Sequence, residues 1–168
     1  MSTPTYAGIG SRKTPDDVQR LMNKSALRLE SLGFTLLSGG AGGADYAFSY
    51  GIQAKVIFLP WVKFEGLTGT VVSDPLAFTV ASQLHPRWHS LSQGAQKLMA
   101  RNTHQILGAD LKSPVDFVLC WTPDGAETST SIRTGGTGQA IRLANLHNIP
   151  VFNMHNPDAL ERLASHIK

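Results

Sequence analysis

Three glycine-rich turns hold the residues of this chain best suited to chemistry. The first runs Gly8-Ile9-Gly10-Ser11-Arg12. The second runs Ser38-Gly39-Gly40-Ala41-Gly42-Gly43-Ala44-Asp45, and the third Thr134-Gly135-Gly136-Thr137-Gly138. Glycine lets the backbone approach a ligand closely, and N–H groups at a helix start attract anions. Three such turns in one chain predict a site for a phosphate-bearing ligand, a nucleotide or a nucleic acid.

Each candidate residue has a chemical role and a plainer structural one. Gly8, Gly10 and Ser11 would set N–H groups and a hydroxyl on a phosphate, or form a tight strand-to-helix turn. Arg12 would pair bidentately with phosphate, or stand as a solvated cation. Ser38, Gly39 and Gly40 would build a second wall, and Asp45 would cap a helix start or meet a ribose hydroxyl. Thr134, Gly135, Gly136, Thr137 and Gly138 form the strongest phosphate loop of the three, with two hydroxyls and open backbone. Arg133 would close over a ligand from the preceding loop. Arg101 and Asn102 would reach the ligand from a helix, or hold neighbouring loops together. Trp121 and Trp61 would stack on a base, or fill the core.

Other reactive types form no constellation. The single cysteine, Cys120, lies in an apolar run and reads as a small core residue. His85, Trp88 and His89 lack metal-ligand spacing and an acidic or thiol partner. No metal and no cofactor is expected. Of the carboxylates, Asp124 and Glu127 lie in the loop leading to the third glycine turn.

The elements that must position these groups alternate. The spacing predicts strands over 6–9, 34–37, 55–60, 115–121 and 151–153. Helices are expected over 44–52, 74–84, 90–107, 138–147 and 157–167, and a further helix opens at Thr14-Pro15-Asp16-Asp17. There Thr14 reads as N-cap and Pro15 as the first helical residue, and Gly33 reads as the stop. Residues 61–70 read as a loop. Strands separated by helices mean parallel βαβ units. The fold expected is α/β, a single Rossmann-like domain over 1–168. Its doubly wound parallel sheet has about five or more strands, with helices on both faces and ligands bound beyond the carboxyl ends of the strands.

Composition agrees with such a domain. The chain has 168 residues, 42% hydrophobic and 16% charged, with a net charge of +3. Its cations are scattered, so charge alone is a weak signal for nucleic acid. No stretch approaches the ~18 apolar residues of a membrane span, and the N-terminus lacks the pattern of a signal peptide. No membrane partner is expected, and a cytoplasmic location is.

The ordered set Gly8-Ile9-Gly10-Ser11-Arg12-Lys13, then Leu37-Ser38-Gly39-Gly40-Ala41-Gly42-Gly43-Ala44-Asp45, then Arg101-Asn102 resembles the core of the DprA (DNA-processing protein A) family. That family carries a Gly-Ser-Arg turn, a Ser-Gly-x-Ala-x-Gly-x-Asp turn and an Arg-Asn pair in this order. The wider group is the SLOG superfamily, which includes the LOG phosphoribohydrolases. Small standalone members occur in tailed phages, and this chain resembles those, with no room for the flanking domains of full-length DprA. The resemblance implies a homodimer or higher homo-oligomer and, for a viral chain, the host cytoplasm. The LOG motif is Pro-Gly-Gly-x-Gly-Thr-x-x-Glu, whereas the matching segment here places Arg142 at the glutamate position. Arginine cannot stabilise an oxocarbenium-like ribosyl centre as a carboxylate does.

The function expected is binding of a nucleotide or nucleotide-derived small molecule without turnover, as a sensor or sequestering protein. A DprA-like mediator that binds single-stranded DNA is the alternative. A nucleotide N-glycosidase is a second alternative, against which Arg142 counts.

Overall fold

Six strands pair side by side into one parallel sheet. The computed structural model describes residues 2–168. In chain order its strands are β1 (Thr5–Gly10), β2 (Thr35–Ser38), β3 (Lys55–Leu59), β4 (Thr70–Val71), β5 (Phe117–Trp121) and β6 (Val151–Asn153). They lie in the order β4-β3-β2-β1-β5-β6, and every pairing is parallel. Its helices are α1 (Asp16–Ser31), α2 (Ala44–Ser49), α3 (Pro75–Leu84), α4 (Gln93–Leu107), α5 (Thr137–Leu146) and α6 (Ala159–His166). This is a doubly wound α/β sheet of Rossmann type.

The period-two alternation of the strands sorts the core into two layers. Ala7, Ile9, Leu37, Val118, Cys120 and Val151 face α3, α4 and α5. Tyr6, Leu36, Phe117, Leu119 and Phe152 face α1, α2 and α6. Each face of the sheet is thus covered by three helices, as a parallel sheet requires. Cys120 is fully buried, and burial pushes its thiol far up, which leaves it protonated and inert.

Several boundaries differ from the sequence expectation for local reasons. The Thr14 hydroxyl does not cap α1; it donates to the Ser11 carbonyl at 2.6 Å, and Pro15 takes the cap position. Helix α2 stops at Ser49 rather than 52. The expected helix over 90–107 begins only at Gln93, because the Ser92 hydroxyl accepts from the Ala95 N–H at 3.1 Å, and 88–90 is a separate 3-10 turn. Such a cap is worth about 1 kcal/mol. Asp74 caps α3 in the same way, accepting from the Leu76 N–H at 2.9 Å. The stretch expected as a loop over 61–70 contains a 3-10 turn, Phe64–Gly66, and leads into β4 at the sheet edge. No helix among the described residues is long and apolar enough to cross a membrane.

The order of strands reverses between β1 and β5. From β1 the chain winds through β2 and β3 in one direction, and from β5 it moves to β6 in the other. The connections leaving these two strands diverge and open a crevice at their carboxyl ends.

Candidate functional site

A cavity of about 450 Å³ occupies that crevice. Its wall begins at the end of β1 with Ile9, Gly10, Ser11, Arg12 and Lys13. Helix α4 supplies Leu98, Met99, Arg101, Asn102 and Gln105. The second glycine turn adds Ala41 and Asp45, and the third adds Ile132 through Thr137, with Pro123 and Ala140 behind.

The first two turns interlock through backbone contact. The Ser11 N–H donates to the Trp121 carbonyl at 3.2 Å, and the Ser11 carbonyl accepts from the Ala44 N–H at 3.3 Å. Gly43 has φ of +77°, and a Cβ there would lie 2.7 Å from the Arg12 Cα and the Ser11 carbonyl oxygen. Only glycine permits both the conformation and the approach. The Ser11 hydroxyl oxygen accepts from the Lys13 N–H at 3.0 Å, which keeps the turn closed under the cavity.

Arg101 and Asn102 tie the second turn to the third. Arg101 is 7% exposed. Its Nη1 donates to the Gly39 carbonyl at 2.6 Å, and its Nε donates to Asn102 Oδ1 at 3.0 Å. Asn102 Nδ2 in turn donates to the Gly136 carbonyl at 3.3 Å. Among the described residues no acceptor takes Nη2 of Arg101, a residue that lines the cavity. Burial lowers the guanidinium's affinity for its proton, and the Asp45 charge restores part of it. Arginine nonetheless stays charged in proteins. The cavity is therefore floored by a buried cation with a donor to spare.

Asp45 is the single carboxylate lining the cavity, and it is 3% exposed. Burial carries its carboxyl up to about 6, against the downward pull of Arg101, the Ala41 N–H and Arg12. That N–H donates to Asp45 Oδ2 at 3.1 Å, so the side chain holds its own loop rather than capping the turn in the usual way.

The third turn is fixed from behind. The Thr134 hydroxyl donates to Asp124 Oδ2 at 2.6 Å and accepts from the Ser131 N–H at 2.9 Å. Gly136 and Thr137 open α5 with their N–H groups unclaimed by other backbone among the described residues. Arg133 lines the mouth with Ile132, which is 86% exposed.

Of the residues singled out from sequence, Gly10, Ser11, Arg12, Asp45, Arg101, Asn102, Arg133, Thr134, Gly135, Gly136 and Thr137 meet around this one cavity. The others lie behind it. At Gly8 a Cβ would press to 2.7 Å on Leu36 and Phe48, so this glycine serves packing between β1 and α2. The buried Ser38 hydroxyl donates to the Gly8 carbonyl at 2.6 Å. Gly39 presents its carbonyl to Arg101, Gly40 adopts φ of +75° beside Leu59 and Leu67, and Gly138 packs on Thr134 and Arg142. Trp121 packs against the α1/α2/α6 core layer and His155, and Trp61 stands edge-on to Phe64.

Among solved structures the chain is similar to DNA processing protein A from Helicobacter pylori, described for the unique single-stranded DNA binding mode of that protein. The TM-score is 0.56 at 18% identity, with 90% of this chain and 65% of that one covered. The fold is DprA-like. At this identity the likeness bears on the fold, and this chain spans just under two thirds of that structure. No protein-family model matches the chain, and no curated protein matches it.

The groups considered for catalysis are spoken for elsewhere. Asp124 accepts from Thr122, Thr134 and the Ala126 N–H, and Glu127 accepts from Asn156, the Asn153 N–H and Arg162. Burial alone would raise both carboxyls, yet these hydrogen bonds hold both below their ordinary range. Arg142 donates to Thr130 at 3.0 Å and Gln139 at 2.9 Å. None of the three lines the cavity. No group of three or more His, Cys, Asp or Glu among the described residues is arranged to hold a metal.

Sequence reasoning missed Lys13, Gln105, Leu98, Met99, Ile132 and Pro123 as cavity residues. Two were within reach: Lys13 follows Arg12 in the turn, and Gln105 lies one helical turn beyond Arg101 on the same face.

Proposed function

We propose that the cavity binds the phosphate of a nucleotide, presented by single-stranded DNA, and that it does so without turnover. Arg101 carries the reading. It is a guanidinium only 7% exposed that lines the cavity, and its Nη2, which has no acceptor among the described residues and stays open to the cavity, is a donor available to an anion. Arg12, Lys13 and Arg133 add exposed cations at the rim, and the start of α5 adds N–H groups and its dipole. Likeness in fold to a protein described for single-stranded DNA binding favours DNA as the source of the phosphate. Binding rather than hydrolysis is supported by the positions of Asp124, Glu127 and Arg142, all outside the cavity, and by the burial of the one carboxylate that lines it, Asp45, which is 3% exposed and accepts from the Ala41 N–H.

A free nucleotide is the second reading, and two observations favour it. No aromatic side chain lines the cavity, so the base-stacking platform usual for single strands is missing there. A volume of about 450 Å³ also falls within the usual range for small-ligand pockets.

Fluorescence anisotropy with labelled oligothymidylate across 50–200 mM salt separates the two. Four contacting cations give a log–log slope of roughly −3 for a single strand. Tight, salt-steep binding of the oligonucleotide, weakly competed by nucleoside monophosphates, is expected. Strong competition by one monophosphate would move the assignment to the free nucleotide, and binding of neither would overturn it.

A further inference from the structure

Arg12, the exposed arginine at the cavity rim, is already held by a carboxylate. Its Nη1 lies 2.9 Å from Glu65 Oε1, and both side chains are exposed. Glu65 comes from the irregular segment between β3 and β4, 53 residues away in sequence. That segment is unusual in its backbone. Lys63 has φ of +61° and Glu65 φ of +52°, left-handed conformations that are strained for Lys and Glu. Between them the buried Phe64 ring faces two guanidiniums. The Arg12 and Arg101 guanidinium carbons each lie 5.8 Å from its centroid. One short turn therefore touches both arginines of the cavity, one through an aromatic face and one through a carboxylate as well.

We propose that Glu65 is a specificity-determining residue of the cavity: its carboxylate occupies Arg12 in the free protein, and a ligand gains Arg12 only by displacing it. The inference rests on the phosphate reading above. A weakly coordinating single anion such as chloride offers Arg12 less than Glu65 does. A phosphate that also meets Arg101 and the N–H groups of α5 offers more, and it takes Arg12 over. Phe64 is the positioning residue, holding both guanidiniums at fixed places on the wall.

The test is Glu65→Gln, which keeps shape and removes charge, read by oligothymidylate anisotropy over 50–200 mM salt. An exposed ion pair of this kind corresponds to a gain of roughly two- to fivefold in affinity when the competitor is removed. Arg12 meets phosphate in both proteins, so the salt slope stays near its wild-type value. In an Arg12→Ala background the same substitution is expected to leave affinity unchanged. Equal affinity in wild type and Glu65→Gln, with wild type binding and Arg12→Ala weakened, would overturn the role of Glu65 and leave the phosphate reading standing. An effect of Glu65→Gln that persists without Arg12 would overturn it too. Failure of every variant, wild type included, to bind oligothymidylate or inorganic phosphate would overturn both.

Discussion

The Arg101 guanidinium donates to the Gly39 carbonyl at 2.6 Å across 62 residues of sequence, and this bond joins α4 to the second glycine turn. A Cβ on Gly39 would collide with that same guanidinium and with the Gln105 amide. Gly39→Ala is therefore expected to push Arg101 off the turn. Overpacking of this kind costs about 1–3 kcal/mol, and each kcal/mol lowers the midpoint by about 2–4 °C in a chain of this size. Thermal unfolding checks the stability loss, and anisotropy checks an accompanying loss of affinity. An unchanged midpoint would mean the close approach is slack.

Gly8→Ala should separate packing from binding. The new methyl would press on Leu36 and Phe48, outside the cavity. A drop in unfolding free energy of about 1–3 kcal/mol is expected, with unchanged ligand affinity in the folded fraction. A selective loss of affinity would instead put Gly8 in the site.

Asp45 makes stability depend on pH with a definite sign. Burial carries the folded carboxyl from its ordinary 3.8 to about 6. Between those values the folded state holds more protons than the unfolded one. Stability from this group is therefore greatest below about pH 4 and falls as pH rises to about 6, by up to about 3 kcal/mol. Asp45→Asn removes that dependence and keeps an oxygen for the Ala41 N–H. In urea unfolding the variant is expected to exceed wild type at pH 7.5 and to match it near pH 4. A difference independent of pH would contradict the buried-acid account.

Asp124 anchors the third turn through the Thr134 hydroxyl. Asp124→Ala leaves Thr134, Thr122 and the Ala126 N–H without their shared acceptor. Limited proteolysis within 125–136 is expected to accelerate in the variant, by several-fold or more. Because the Asp124 carboxyl is depressed in the folded state, its contribution is complete above the ordinary aspartate range and is lost as pH falls from there through the lower folded value. Identical proteolysis in variant and wild type would show the loop held by other contacts.

The layered sheet was legible because its signals are local. Apolar runs in five of the strands, and Gly33 after α1, can be read within ten residues of themselves, whereas β4 is two exposed residues, Thr70 and Val71, with no such run. The alternation along β5 places Trp121 with Phe117 and Leu119, facing α1, α2 and α6 and away from the cavity, a consequence of strand period that its aromatic character alone conceals. Thr14 misled because its hydroxyl found the Ser11 carbonyl, an acceptor that exists only once the first turn has closed. Phe64 and Glu65 gave no sign at all. Their segment has no periodicity, and their partners Arg12 and Arg101 are brought to them by tertiary structure.

The measurement that bears most directly on phosphate binding in the cavity uses Gly136→Asp. Gly136 lines the cavity in an ordinary helical conformation, and a Cβ there would meet nothing closer than the Met99 methyl at 3.7 Å. The substitution thus sets a negative charge beside the start of α5 without crowding the fold. Oligothymidylate anisotropy at 50 mM salt should show at least a tenfold loss of affinity, with a thermal midpoint within a few degrees of wild type. Wild-type affinity in a folded Gly136→Asp protein would place the ligand elsewhere and contradict the account.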